Sequence, residues 1–240
     1  MADTVRQIKF KDYRLKIFLD MEIANFCIKF KCIQKVLIKY FEKLFVEKRK
    51  FKMKTIVFAH PWNGSFNKAI LDKVVEKLDE TKQKYTIIDL NKDKFNPVMT
   101  EEELSLYSQG KSIDPLVKKY QEILKNTDEL ILVFPIWWMS MPAILKGFFD
   151  KVMTKGFAYE STQTGIKGNL TNIKMAKMIT TATAPKFLLN ITGFGITMKK
   201  ANLGGIGIKK TKWIHYSFRA KGKDEDRKKF LEKVKEFVSN

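Results

Sequence analysis

Five short apolar runs alternate with stretches of helical apolar spacing, and this alternation constrains the chain more than any other feature of it. The runs are Thr55–Ala59, Tyr85–Leu90, Glu129–Phe134, Ile173–Thr181 and Trp213–Phe218. Between and after them, Phe66–Asp79, Glu101–Tyr107, Pro115–Asn126, Pro142–Met153 and Asp224–Val238 read as helices. In the first of these, Ile70, Val74 and Leu78 recur on one helical face. Pro115 and Pro142 fall at early positions, where a missing N–H costs nothing. Leu116, Tyr120, Ile123 and Leu124 are expected to point inward, as are Phe230, Val234 and Phe237 in the last helix. A strand that is apolar at nearly every position must be covered on both faces, and strands separated by helices run parallel. The pattern predicts an α/β domain with a five-stranded parallel sheet and helices on both faces. Such sheets bind ligands beyond the carboxyl ends of their strands, which directs attention to the loops after Ala59, Phe134 and Thr181.

The alternation begins at Met53. Residues 1–52 hold 14 Lys and Arg against 6 Asp and Glu, contributing +8 to the chain's net +20. Phe30, Ile33, Leu37, Phe41 and Leu44, with lysines between them, have the spacing of a basic amphipathic helix that could lie on a membrane or cover a partner. The simpler expectation is that Met53-Lys54-Thr55-Ile56 is the natural start and that residues 1–52 are upstream sequence. The expected division is a basic extension over 1–52 and the α/β domain over 53–240. The first residues lack the apolar core of a signal peptide, and no stretch reaches the ~18 apolar residues of a membrane span. The net charge admits nucleic acid, a membrane surface or small anions. It is spread as isolated lysines, however, and reads as a solvated surface with no nucleic-acid partner. The only cysteines, Cys27 and Cys32, build no disulfide framework, and two histidines build no metal site; a reducing cytoplasm is the expected setting.

The first loop runs Ala59-His-Pro-Trp-Asn-Gly-Ser-Phe-Asn67. Ser65, Phe66 and Asn67 stand where a helix begins, with unpartnered N–H groups and the positive end of the helix dipole, and His60 adds a ring donor. That suits a phosphate; it suits equally an ordinary helix cap by Ser65 with a turn at Pro61 and Gly64. The loop is neither a Walker pattern nor a Gly-x-Gly-x-x-Gly dinucleotide loop. The second loop places Trp137 and Trp138 between Pro135 and Pro142. A rigid aromatic turn with exposed amides suits a flat heteroaromatic ring; an aromatic lid or a dimer contact would use the same residues.

His60-Pro61 followed by Ser65-Phe66-Asn67, and Pro-Ile-Trp-Trp-Met-Ser-Met-Pro-Ala-Ile-Leu-Lys-Gly followed by Gly156-Phe157-Ala158-Tyr159, resemble two motifs of the flavodoxin-like NAD(P)H dehydrogenase (quinone) family. The resemblance is to its shorter bacterial members. It implies a flavodoxin-like fold over about residues 53–218, with a flavin phosphate gripped by His60, Ser65, Phe66 and Asn67. The isoalloxazine ring would lie against Pro135, Ile136, Trp137, Trp138 and Met139. Met178–Pro185 matches the family's third turn, so Thr180, Thr181, Ala182 and Thr183 would bond the pyrimidine side of the ring, although Ala182-Thr183 replaces glycines found in some members. The implied cofactor is FMN first, FAD second, with NAD(P)H as co-substrate. The implied activity is two-electron transfer to a quinone or similar flat acceptor, in a homodimer with Tyr159 and its neighbours facing the partner. Animal members carry a Tyr and a His after the third turn; Lys186-Phe-Leu-Leu-Asn-Ile offers neither, so no side-chain catalyst is assigned. His215 is expected to be a core or interface histidine. The alternative within the resemblance is a flavin-binding ancillary subunit of a potassium-efflux system, which would meet the membrane through its channel partner.

Overall fold

The computed structural model describes residues 53–218 and 223–239; the expectations for residues 1–52 lie outside the described residues. Five parallel strands form the sheet: β1 (Lys54–Phe58), β2 (Tyr85–Asp89), β3 (Glu129–Pro135), β6 (Met175–Ala182) and β7 (Thr211–Ser217), in the order β2-β1-β3-β6-β7. All five lie where the apolar runs predict them. The strand order reverses between β1 and β3, which opens a crevice beyond their carboxyl ends. A separate antiparallel hairpin, β4 (Tyr159–Thr162) and β5 (Gly165–Gly168), was not expected from the sequence.

The helices cover both faces, and alternate residues of each strand divide between them. On one side, Ile56, Phe58, Ile131 and Val133 pack under α1 (Phe66–Glu80) and α7 (Asp224–Ser239). On the other, Val57, Leu130, Leu132, Phe134 and Met178 pack under α3 (Pro115–Lys125) and α4 (Ala143–Val152), with short α2 (Glu101–Tyr107) before them. The inward residues of α3 are Val117, Tyr120 and Leu124; Leu116 and Ile123 are partly buried against the same core. In α7 the fully covered third position is Val238, and Phe237 is partly buried. The segment between β6 and β7 is helical as well: α5 (Lys186–Ile191), the single turn α6 (Phe194–Ile196) and a π-helical stretch, Thr197–Gly204.

Two buried charge clusters tie distant segments together. Lys177 Nζ lies 2.8 Å and Lys54 Nζ 3.4 Å from Glu129 Oε1, and both ammoniums donate to the carbonyl of Val238 at the end of α7. That carbonyl end carries the negative pole of the helix dipole, which balances the second cation. Lys151 of α4 meets Glu103 at 2.8 Å, Asp114 at 3.1 Å and the Asn96 carbonyl at 3.0 Å. It thereby joins α4 to α2, to the cap of α3 and to the segment after β2. Each pair is desolvated, so the partners are needed together.

Candidate functional site

A cleft of about 540 Å³ opens at the carboxyl ends of β1, β3 and β6. Ten of the thirteen residues singled out from the sequence line it: His60, Ser65, Phe66, Asn67, Pro135, Ile136, Trp137, Thr181, Ala182 and Thr183. Trp138, Met139 and Thr180 do not.

The first loop forms the ordinary cap and leaves unused donors beside it. Ser65 caps α1, its Oγ accepting from the Lys68 N–H at 3.1 Å. Among the described residues, the N–H groups of Phe66 and Asn67 have no acceptor. Phe66 itself is an anchor: its ring packs on Tyr216, Phe218 and Phe230 and fixes the start of α1. Asn67 is buried, and its Nδ2 donates to Thr181 Oγ1 at 2.9 Å, bridging the first loop to the third. Its Oδ1 is buried without a partner, a vacancy that a hydroxyl or N–H donor in the cleft would fill. His60 Nδ1 accepts the Trp62 N–H at 3.1 Å, so the neutral ring carries its proton on Nε2. Burial holds its pKa below the ordinary value and keeps it neutral.

In the second loop, Ile136 N–H donates to the Thr181 carbonyl at 2.7 Å, and Trp137 and Ser140 exchange two backbone hydrogen bonds, at 3.0 and 2.9 Å. Trp138 and Met139 are therefore the middle of a two-residue turn, with φ of 48° and 60°. Positive φ at both positions defines a type I′ turn, which favours Gly, Asn and Asp. Trp and Met there store strain, and such strain concentrates at functional sites. Both central N–H groups lack acceptors among the described residues. Trp138 is 100% exposed, Trp137 is 45% exposed and meets the His60 ring edge-on at 5.9 Å, and Met139 packs partly against the core.

Thr180 corrects the expectation for the third loop. Its side chain is fully buried and its Oγ1 bonds Trp213 Nε1 and His215 Nδ1, each at 2.8 Å. A β-strand points successive residues to opposite faces, and here that turns the Thr180 hydroxyl into the core. His215 is half-buried, and burial lowers its pKa. Tyr159 packs against the core, its hydroxyl 3.5 Å from that of Tyr107.

The cleft also contains residues that sequence reasoning missed: Trp62, Gly64, Phe218 and Arg227. Trp62 lies across Gly64 so closely that a methyl group there would stand 2.5 Å from the indole. Arg227 arrives on the first turn of α7, paired with Asp224 at 3.1 Å. In a Lys-rich chain, a lone Arg at a helix start was the available signal.

The family model for flavodoxin-like fold proteins, Flavodoxin_2, matches residues 53–238. The chain belongs to this flavodoxin-like family. It is 36% identical over 126 residues to an uncharacterised NAD(P)H oxidoreductase of Haemophilus influenzae, covering 52% of this chain and 62% of that one. It is 31% identical over 142 residues to NAD(P)H dehydrogenase (quinone) 1 of Cavia porcellus, 52% of each chain. The chain thus spans about half to three fifths of these relatives. Among solved structures, Smu.1420 from Streptococcus mutans superposes with a TM-score of 0.69 at 33% identity, covering 78% of this chain and 98% of that one. An NAD(P)H:quinone oxidoreductase from Methanothermobacter marburgensis gives 0.70 at 27% identity, covering 79% and 96%. Among the described residues, no helix is long and apolar enough to cross a membrane, and no His, Cys, Asp and Glu cluster could hold a metal.

Proposed function

We propose that this flavodoxin-like protein binds a flavin in the cleft and is an NAD(P)H:quinone oxidoreductase. One observation carries the reading: three loops converge on a single cleft of about 540 Å³, with the unused amides of Phe66 and Asn67 and the orphaned Asn67 Oδ1 among its lining residues. Its polar requirements match a phosphorylated, polyhydroxylated chain ending in a flat ring with hydrogen-bonding edges. The Phe66 and Asn67 amides, His60 Nε2–H and Arg227 would hold the phosphate. Asn67 Oδ1 would accept from the polyol. The Thr183 loop would meet a polar edge of the ring, with Trp137 beside its face; the Trp138 and Met139 amides, outside the cleft lining, would be met by a ring that extends past Trp137. A bound flavin would supply two-electron chemistry between NAD(P)H and a quinone. The side chains bind, orient and exclude water; none is assigned a proton-transfer role. The relatives named above support this activity.

FMN is the preferred flavin and FAD the second. The apolar surface of Phe187, Ile191 and Ile196, 64–76% exposed beside the third loop, supports a homodimer that closes over the cleft. The setting proposed is the cytoplasm. The test is direct: purify the chain, record its visible spectrum, identify the released flavin, and compare bleaching by NADH and NADPH. A folded protein that is colourless and takes up neither FMN nor FAD refutes the reading. An ancillary role at a potassium-efflux system would show instead as altered ion efflux, with unchanged quinone tolerance, on deletion.

A further inference from the structure

Behind the third loop runs a chain of hydrogen bonds that the proposed flavin site does not use. Trp213 Nε1 bonds Thr180 Oγ1 at 2.8 Å, and Thr180 Oγ1 lies 2.8 Å from His215 Nδ1. His215 Nε2 lies 2.9 Å from the Ala184 carbonyl, which also accepts from Ser217 Oγ at 3.2 Å. The directions are forced. A carbonyl only accepts, so Nε2 carries a proton. An indole only donates, so Thr180 Oγ1 accepts from it. Nδ1 of the neutral ring must then accept the Thr180 hydroxyl proton. One protonation state satisfies every group. A second proton on Nδ1 would point at Thr180 Oγ1 and displace the hydroxyl proton, at a fully buried residue.

Ala184 directly follows Thr181, Ala182 and Thr183, which line the cleft. We infer that His215 is a positioning residue for this rim: the neutral imidazole, seated by the Thr180 hydroxyl, holds the Ala184 carbonyl from β7 and sets Thr181–Thr183 to receive the flavin, and a proton on Nδ1 breaks the Thr180 bond, unseats the ring and shifts that carbonyl with it. The inference rests on the flavin reading above. The groups around the ring agree with it. From α5, Lys186 donates to the Trp213 carbonyl at 2.7 Å and sits 5.0 Å over the indole; from the π-helical stretch, Lys199 sits 5.7 Å from the same indole. From β6 comes only uncharged Thr180, and among the described residues no carboxylate pairs with His215. Burial first, then the charge of Lys186, disfavours the imidazolium and lowers the pKa from its ordinary 6.5, against the opposing pull of the bonds to Ala184 and Thr180. The rim is therefore set at neutral pH and lost as pH falls through that lowered value.

The test titrates FMN and FAD into flavin-free protein between about pH 8 and pH 5, for wild type, H215Q and H215A. Gln can still donate to the Ala184 carbonyl but takes up no proton. His60 is present in all three, so its own titration cancels in the comparison. Wild-type affinity should fall by up to about tenfold per pH unit below the His215 pKa. H215Q should bind within about threefold of wild type at pH 8, with a flatter pH profile. H215A should bind about tenfold more weakly at pH 8. In flavin-free protein, hydrogen exchange over residues 182–188, corrected for its intrinsic pH dependence, should accelerate on acidification in wild type and not in H215Q. Matching pH slopes in wild type and H215Q, or wild-type affinity in H215A at pH 8, would overturn the role of His215 and leave the flavin site standing. A wild-type chain that binds neither flavin at any pH would sink both.

Discussion

The turn at Trp138 and Met139 invites a substitution that should strengthen the fold while weakening ligand binding. Trp138 holds φ at 48° with its side chain 100% exposed. A residue with a Cβ loses about 1–2 kcal/mol in that conformation. Glycine removes this penalty and gives back about 0.5–1 kcal/mol through its freer unfolded chain. No buried surface is lost. W138G should therefore stabilise the flavin-free protein by about 0.5–1 kcal/mol, raising Tm by roughly 1–4 °C in a domain of this size. M139G is the internal control. Met139 has φ of 60° but packs partly against the core, so its relief should be cancelled by about 1 kcal/mol of lost burial. Urea denaturation and calorimetry measure both, and flavin titration measures the cost: W138G should bind FMN several-fold more weakly. Destabilisation of the flavin-free W138G protein by more than about 1 kcal/mol would refute the strain argument, and unchanged FMN affinity would refute the turn's part in binding.

Three further outcomes follow from the packing. G147A places a methyl 2.4 Å from the Pro97 backbone, so α4 and the segment after β2 must separate; a loss of about 3 kcal/mol is expected in urea. K151M leaves Glu103 and Asp114 without their shared cation; the expected loss is about 3 kcal/mol, read from the same curves. His60 and His215 both have pKa values lowered by burial. Below 6.5 the unfolded chain binds protons that the folded chain refuses, so stability should fall with pH through that window and level off beneath the lowered values. Urea midpoints from about pH 7.5 to pH 5 test the sign, and a gain in stability on acidification would contradict it.

The sheet was legible because its strands are buried on both faces, and the resulting runs tolerate few polar residues. The β4–β5 hairpin was not, because Glu160, Ser161, Thr162 and Ile166 all face solvent, and no alternation survives where neither face is covered. The helical segment over Lys186–Gly204 was obscured by glycines and by its π-helical hydrogen bonding, which breaks the 3.6-residue period. In the site, the first two loops could be read because helix caps and paired aromatics are local. The type I′ turn could not, since Trp-Met carries none of the usual residues. Thr180 was misassigned because one residue of register decides between cleft and core. Arg227 could only be placed by the fold, which brings the start of the last helix to the first loop.

The two lysines that share Glu129 and the Val238 carbonyl impose an order on the birth of the molecule. Lys54 and Val238 are 184 residues apart, so the strand carries an ammonium one of whose acceptors is synthesised 184 residues after it. Until Phe230, Val234 and Val238 have emerged, one face of the sheet has only α1 over it, and Lys54 and Lys177 share a single carboxylate. A nascent chain halted before α7 would expose that apolar face and offer a cleft without Arg227.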